Sequence, residues 1–312
     1  MLNRPHALIY REAELPSQTG WLAEQPCPVI CYAADAENAA PVNADVVVAD
    51  WAAAQQLAER IAATPIAAMT LVQVLRASEK LPAEQGLDIE SLAYSTLLAG
   101  KEFAQWHASF VAEPMPECIG APLLLERSDA VLQVTLNRPQ LRNSITVEMR
   151  DALLEALDLL RYDSSITQLE IRAAGSCFSV GGELREFGSA PDQGTAHWVR
   201  SVHSPARMLQ RLSSRITCYV HGACIGSGME LPLFAAKVIA HSKTFFHLPE
   251  LELGLIPGAG GTVSISRRIG RHRTAWLLLS GRRINVKTAL SWGLVDEVAE
   301  WDINAHNCNA SS

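Results

Sequence analysis

The chain has 312 residues, 48% of them hydrophobic and 19% charged, with a formal net charge of −7. That length can bury one large core or two smaller ones, and the acidic balance argues against non-specific binding to nucleic acid or an anionic lipid surface. Seven cysteines (27, 31, 118, 177, 218, 224 and 308) are scattered with no C-x-x-C pair, a pattern unlike a zinc or disulfide framework and suited to a reduced, cytoplasmic compartment.

The N-terminus, MLNRPHALIYREAEL, lacks the apolar stretch of a secretory signal, and no apolar run reaches membrane-spanning length. PVICYAA (28–34) and ADVVVAD (44–50) read as strands of a small α/β piece. From Trp51 the composition turns to strong helix formers, predicting a helix stopped by Pro65 and another over 66–79. Residues 86–110 predict one helix, or two broken at Gly100. VAEPMPECIGAP (111–122), with three prolines and a glycine, is the best linker candidate. It divides an N-terminal α/β and helical region (1–115) from a second region (116–312).

After the linker, strands at 123–126 and 130–136 form a hairpin around Ser128-Asp129. Thr146 is placed to cap a helix running to Leu160. A strand at 169–174 runs into the irregular GSCFSVGGEL, and a long helix follows over 195–213. Strands at 218–223 and 237–242 flank a helix that starts near Ser227. This strand–loop–helix order predicts an α/β fold with parallel pairing.

Three segments carry candidate chemistry. In CFSVGGELREF (177–187) a strand end meets a Gly-Gly turn, where the Val180 N–H could face a cleft without a carbonyl partner. GACIGSGMEL (222–231) turns tightly from strand to helix, leaving the N–H groups of Ser227 and Gly228 at the positive end of a helix dipole, with Glu230 just after. HLPELELGLIPGAGGT (247–262) offers Glu250 behind Pro249 and a turn of three glycines. Two acids near backbone donors are ingredients for moving protons beside a developing oxyanion. Each segment alone is common in α/β proteins and more often does no chemistry.

Rival chemistries fare worse. Ile225 and Met229 stand where a serine-hydrolase elbow needs glycines, and neither a P-loop nor a dinucleotide fingerprint occurs. The nine histidines include no H-E-x-x-H, so no metal is expected.

Together, LNRPQLRNSI (136–145), CFSVGGELREF, HGACIGSGMEL (221–231), LPELELGLIPGAGGT (248–262) and LLSGRRINVKTALSWGLVDEV (278–298) resemble, in order, the enoyl-CoA hydratase/isomerase (crotonase) superfamily. The resemblance covers about Leu123 to Val298. It implies a crotonase-like α/β fold with a ββα superhelical core, and an acyl-CoA substrate. Coenzyme A would enter as part of the thioester, with no separate cofactor, and the assembly would be a homotrimer or a dimer of trimers. Glu230 and Glu250, twenty residues apart as in the family's hydratases, become the general acid/base pair. Val180 and Ser227 become the backbone donors to the thioester oxygen. The loop Gln140-Leu141-Arg142 would lie against the adenine end of CoA, with Arg142 near its phosphates.

Hydration of a 2-enoyl-CoA is the natural reaction for two acids. Isomerisation, thioester or C–C hydrolysis and cofactor-free oxygenation remain open on the same scaffold, as does an inactive CoA-binding homologue. Three positions depart from the family pattern. Ser227 replaces a glycine and would present a hydroxyl to the site, Pro232 follows Leu231, and His247 reads as a packing histidine in place of a small residue.

The larger departure is architectural. Family members continue for several dozen helical residues after the Gly293-Leu294-Val295 element, whereas this sequence runs seventeen more, ending in the polar NAHNCNASS. Upstream, residues 57–106 are similar in layout to that C-terminal region. A circular-permutation-like exchange, with helices 51–110 in the place of the C-terminal cap, is expected on equal footing with an unrelated N-terminal domain.

Overall fold

The structure, a computed structural model, describes residues 5–36 and 41–303. The polar tail from residue 304, Cys308 included, lies outside the described residues. Strand β1 (Leu8–Arg11), not anticipated from sequence, pairs in parallel with β2 (Val29–Tyr32), which pairs in parallel with β3 (Val46–Val48). β1 escapes a period-2 reading because three of its four residues are half-buried and the fourth is exposed.

Four helices follow: α1 (Trp51–Ala63), α2 (Pro65–Ser78), α3 (Ala83–Leu98) and α4 (Lys101–Ser109). The Asp50 carboxylate caps α1 by accepting from Ala53 N at 2.8 Å. Pro65 ends α1 and occupies the first turn of α2, where its missing N–H costs nothing. α2 takes its other cap from far away: Glu102 accepts from Ile66 N (2.8 Å) and Ala67 N (2.9 Å). Gly100 does break the 86–110 segment, and the first of the two helices starts at Ala83.

Beyond the linker come the hairpin β4 (Leu123–Ser128) and β5 (Val131–Leu136), α5 (Val147–Tyr162), β6 (Gln168–Ala173), α6 (Gln193–Val202) and α7 (Pro205–Leu212). The hairpin turn falls one residue later than expected, and Asp129 takes φ 52°. Thr146 caps α5, accepting from Met149 N at 3.1 Å. The single helix expected over 195–213 is two, because Pro205 cannot continue a helix and Ser204 recaps the chain. Next are β7 (Ile216–Val220), β8 (Ala223–Ile225), α8 (Ser227–Glu230), β9 (Lys237–His241), β10 (Phe245–His247) and α9 (Gly261–Ser280, kinked at Gly270). β11 (Ile284–Asn285), α10 (Val286–Trp292) and β12 (Glu297–Ala299) complete the described chain.

The main sheet has the order β12-β9-β7-β6-β5-β4, parallel throughout except for the β4–β5 hairpin. A small sheet of β11-β10-β8 sits beside it and carries the turn into α8. Helices α2 and α3 pack on α9, α3 also on α6, and α4 on the turn that follows Glu250. One hydrophobic core runs through both regions, from Ile30 and Leu71 to Leu157 and Leu278.

An ionic node bolts the first sheet to the rest. Asp45, 1% exposed, accepts from Arg76, from Arg271 (3.2 Å) and from Val29 N (2.8 Å). Arg271 also donates to Ala44 O at 2.9 Å. A doubly paired, hydrogen-bonded carboxylate of this kind fixes register, and it is costly to break from one side.

Candidate active site

Glu230 ends the one-turn helix α8 and is 2% exposed; Glu250 opens a 3-10 turn (Glu250–Leu253) and is 7% exposed. The structure brings both into one cavity of about 210 Å³, walled also by Val180, Ser227, Tyr94 and Arg200. A larger cavity of about 850 Å³ lies between β3, α1, α9 and α10, but among the described residues no carboxylate lines it, whereas both acids line the smaller one.

The turn Gly258–Thr262 organises the acids. Glu230 Oε2 accepts from Ala259 N (2.9 Å) and Gly261 N (2.8 Å). The intervening amides face the other way: Gly260 N (2.6 Å) and Thr262 N (2.8 Å) donate to Glu90, as does the Thr262 hydroxyl (2.6 Å). Successive amides at a glycine-rich helix start are a ready anion site, and here two buried carboxylates share one. Glu90 comes from α3, in the N-terminal region.

Glu250 is held differently. Its Oε2 is buried with no hydrogen-bond partner among the described residues. Its Oε1 lies 2.9 Å from where a Cβ at position 226 would stand, and Gly226 has φ 51°. Only glycine both makes that turn and leaves room for the acid. Burial pushes Glu250 up to about 8 and Glu90 up to about 7. Burial raises Glu230 well above its ordinary value, reinforced by Glu250 and Glu90, while the two amide donors pull the other way. Three carboxyls this close cannot all ionise near neutrality.

Two sequence expectations about the donors need correction. The Val180 N–H is not free, since it donates to Arg142 O at 3.1 Å. The cause lies in the 139–143 loop, where Arg142 (φ 51°) and Asn143 (φ 54°) both turn left-handed and aim the carbonyl across. The Ser227 hydroxyl does not face the site as a donor; its Oγ is buried and has no partner among the described residues. The Ser227 N–H itself opens α8, where no carbonyl of its own helix can reach it.

Gln140 and Arg142 are exposed and Leu141 is buried, in a loop pinned by Asn143. That side chain accepts from Arg138 N (2.9 Å) and donates to Ala174 O (2.8 Å) and Cys177 O (3.1 Å), tying the loop to the segment that carries Val180. His247 is half-buried with Nε2 3.1 Å from Gly281 O, and burial lowers its pKa. Pro232 opens a 3-10 turn directly after α8. Among the described residues no group of three or more His, Cys, Asp or Glu side chains could hold a metal.

Sequence reasoning missed Glu90, Tyr94 and Arg200. The Tyr94 ring packs so closely on Gly258 that a Cβ there would lie 2.6 Å from it. The Arg200 guanidinium lies 4.5 Å from the centroid of the same ring. A signal for Glu90 existed: positions 83, 87, 90, 94 and 97 form the buried stripe of α3, and an acid on an apolar stripe calls for a partner.

The sequence model described as enoyl-CoA hydratase/isomerase matches residues 126–306. The chain belongs to the enoyl-CoA hydratase/isomerase family. Similar curated proteins include the trans-2-decenoyl-[acyl-carrier-protein] isomerase of Streptococcus mutans, 32% identical over 57% of this chain and 69% of that protein. The 2,3-dehydroadipyl-CoA hydratase of Escherichia coli is 32% identical over 58% and 70%. Among solved structures, an enoyl-CoA hydratase from Thermoplasma volcanium aligns with TM-score 0.54 at 28% identity, over 60% of this chain and 75% of that one. The fold is therefore crotonase-like, and the named relatives of the family include hydratases and isomerases alike. Residues 1–125, which supply Glu90 and Tyr94, lie outside the family match.

Proposed function

We propose that this member of the family hydrates a 2-enoyl-CoA thioester, with Glu230 and Glu250 as the general acid/base pair. The observation that carries the reading is the burial of both carboxyls in one small cavity, with the start of α8 at its wall. Mutual repulsion and burial favour one proton shared by the pair. The ionised member takes a proton from water as its oxygen bonds to C3, and the protonated member delivers a proton to C2. Negative charge collects on the thioester oxygen, which the Ser227 N–H and the Val180 N–H would hold. The latter must first be released from Arg142 O, so the bound thioester oxygen replaces that carbonyl. Each such donor contributes on the order of 3 kcal/mol to the transition state.

Isomerisation is the second reading, favoured by the unequal holding of the acids: Glu230 is fixed by two amides, whereas Glu250 Oε2 is unpartnered. A single mobile carboxyl suffices to shuttle a proton between C2 and C4. The similar protein named a trans-2-decenoyl-[acyl-carrier-protein] isomerase is compatible with it.

We further infer that α1–α4 take the place of the family's C-terminal helices, since α3 and α4 pack beside Glu230 and Glu250. A cytoplasmic homotrimer or dimer of trimers, binding CoA along Gln140-Leu141-Arg142, completes the reading.

The test is product analysis of a 2-enoyl-CoA series in heavy water, with Glu230→Gln and Glu250→Gln alongside. Hydration leaves a hydroxyl at C3 and one deuterium at C2, and each variant should lose about 10²–10⁴-fold in rate. A shifted double bond with no added oxygen identifies isomerisation. Rates unchanged in both variants refute the acid pair.

A further inference from the structure

Arg200 forms no direct ion pair with any described residue. Its neighbours are neutralised: Arg207 pairs with Glu84 and Asp88, Arg211 with Glu84, and Arg185 with Glu183. Among the described residues the Arg200 Nη2 has one hydrogen-bond partner, the Ser95 hydroxyl at 2.5 Å, and its Nε is buried without one. The carboxylate whose charge it feels, Glu90, already accepts three hydrogen bonds from Gly260 and Thr262. Stacking on Tyr94 holds the guanidinium in place but does not answer its charge.

Its position gives that charge a use. Arg200 and Tyr94 wall the cavity of the two acids and also an adjoining one of about 670 Å³. The second cavity has apolar walls from Leu98, Phe103, Phe187 and Trp198. Of the other charged groups around it, Glu183 is paired with Arg185 and Arg150 with Asp151, while Glu186 and Asp192 accept from the neutral Val147 N–H and Thr195 and remain hydrogen-bonded acids. None of Gln140, Leu141 and Arg142 lines either cavity, so the guanidinium lies away from the proposed CoA loop.

We propose that Arg200 receives a carboxylate at the far end of the acyl chain, so that the preferred substrate is the CoA monothioester of an unsaturated dicarboxylic acid. This rests on the thioester reading of the site. Apolar walls suit the methylene stem, and an incompletely paired guanidinium is the group that recognises a carboxylate through parallel N–H bonds.

The experiment compares hex-2-enoyl-CoA with the thioester of the same length that ends in a carboxylate. The expected wild-type kcat/KM ratio favours the carboxylate by about ten-fold or more. Arg200→Met should collapse that ratio toward one, and Arg200→Lys should restore part of it. In parallel, calorimetry measures binding of the saturated pair, hexanoyl-CoA and adipyl-CoA, to the wild-type protein. Equal affinities and equal kcat/KM for the two chain ends overturn the proposal, whether or not the variants fold. A ratio that survives in Arg200→Met also overturns it. Discrimination in binding with no turnover of either enoyl-CoA upholds the role of Arg200 and sinks the hydratase reading instead.

Discussion

Glu250→Gln should stabilise the protein while disabling it, by an amount that depends on pH. The wild-type carboxyl is 7% exposed, its Oε2 has no partner among the described residues, and burial raises it from 4.5 to about 8. Between those two values the unfolded chain has lost a proton that the folded protein keeps, so wild-type stability falls as pH rises through the window. At about 1.4 kcal/mol for each pH unit, the penalty reaches on the order of 5 kcal/mol once pH exceeds the folded value. Glutamine has nearly the same shape and never ionises, so the variant escapes this loss. Glu230, raised in part by the charge at 250, is relieved as well. Urea unfolding of the assembled protein at about pH 5, 7 and 9 checks it. The two proteins should nearly coincide in acid and separate steadily toward base, the variant being the more stable. A constant difference, or one that grows toward acid, would show that the carboxyl is not held in a dry pocket.

Glu90→Ala leaves three buried donors unpaired at about 1–3 kcal/mol each. It should lower both thermal stability and kcat, with KM little changed, and Glu90→Gln should recover only part, because its single amide oxygen can accept on one side alone. Asp45→Ala removes the buried acid that Arg76 and Arg271 share, leaving Arg271 its longer pair with Glu79 (3.4 Å) and Arg76 its carbonyl partners, and calorimetry should register a loss of about 3 kcal/mol. Gly258→Ala drives a methyl into the Tyr94 ring, so a cost of about 1–3 kcal/mol in stability should come with displaced acids and a lower kcat, measured on the same preparation.

Much of the site was legible in the sequence because its parts are local. The turns before Glu230 and after Glu250 are runs of small residues whose only sensible use is a tight bend, and Thr146 announces α5 as its cap. What stayed hidden depends on partners distant in the chain. The N–H of Val180 looked free because nothing in its own segment could meet it, yet Arg142 reaches it from another loop. Ser227 looked like a hydroxyl offered to substrate, but its Oγ is buried with no partner among the described residues. Glu90 lies on an apolar stripe, and its partners are 170 and 172 positions away. The break at Pro205 needs no distant partner: a proline after a capping serine is a local stop that helical periodicity around it does not override.

The turn at 259–262, read alternately by Glu230 and Glu90, sets an order of events at the ribosome. Helix α3 is synthesised long before the turn it must hold, so Glu90 waits, unpaired, for some 170 further residues. Contacts that span so much chain are slow to form, and until this one closes the amide row has carboxylate on one side only. On the proposed reading of the site, catalytic competence then requires the two regions to have met, and an N-terminally clipped chain is expected to be silent rather than promiscuous.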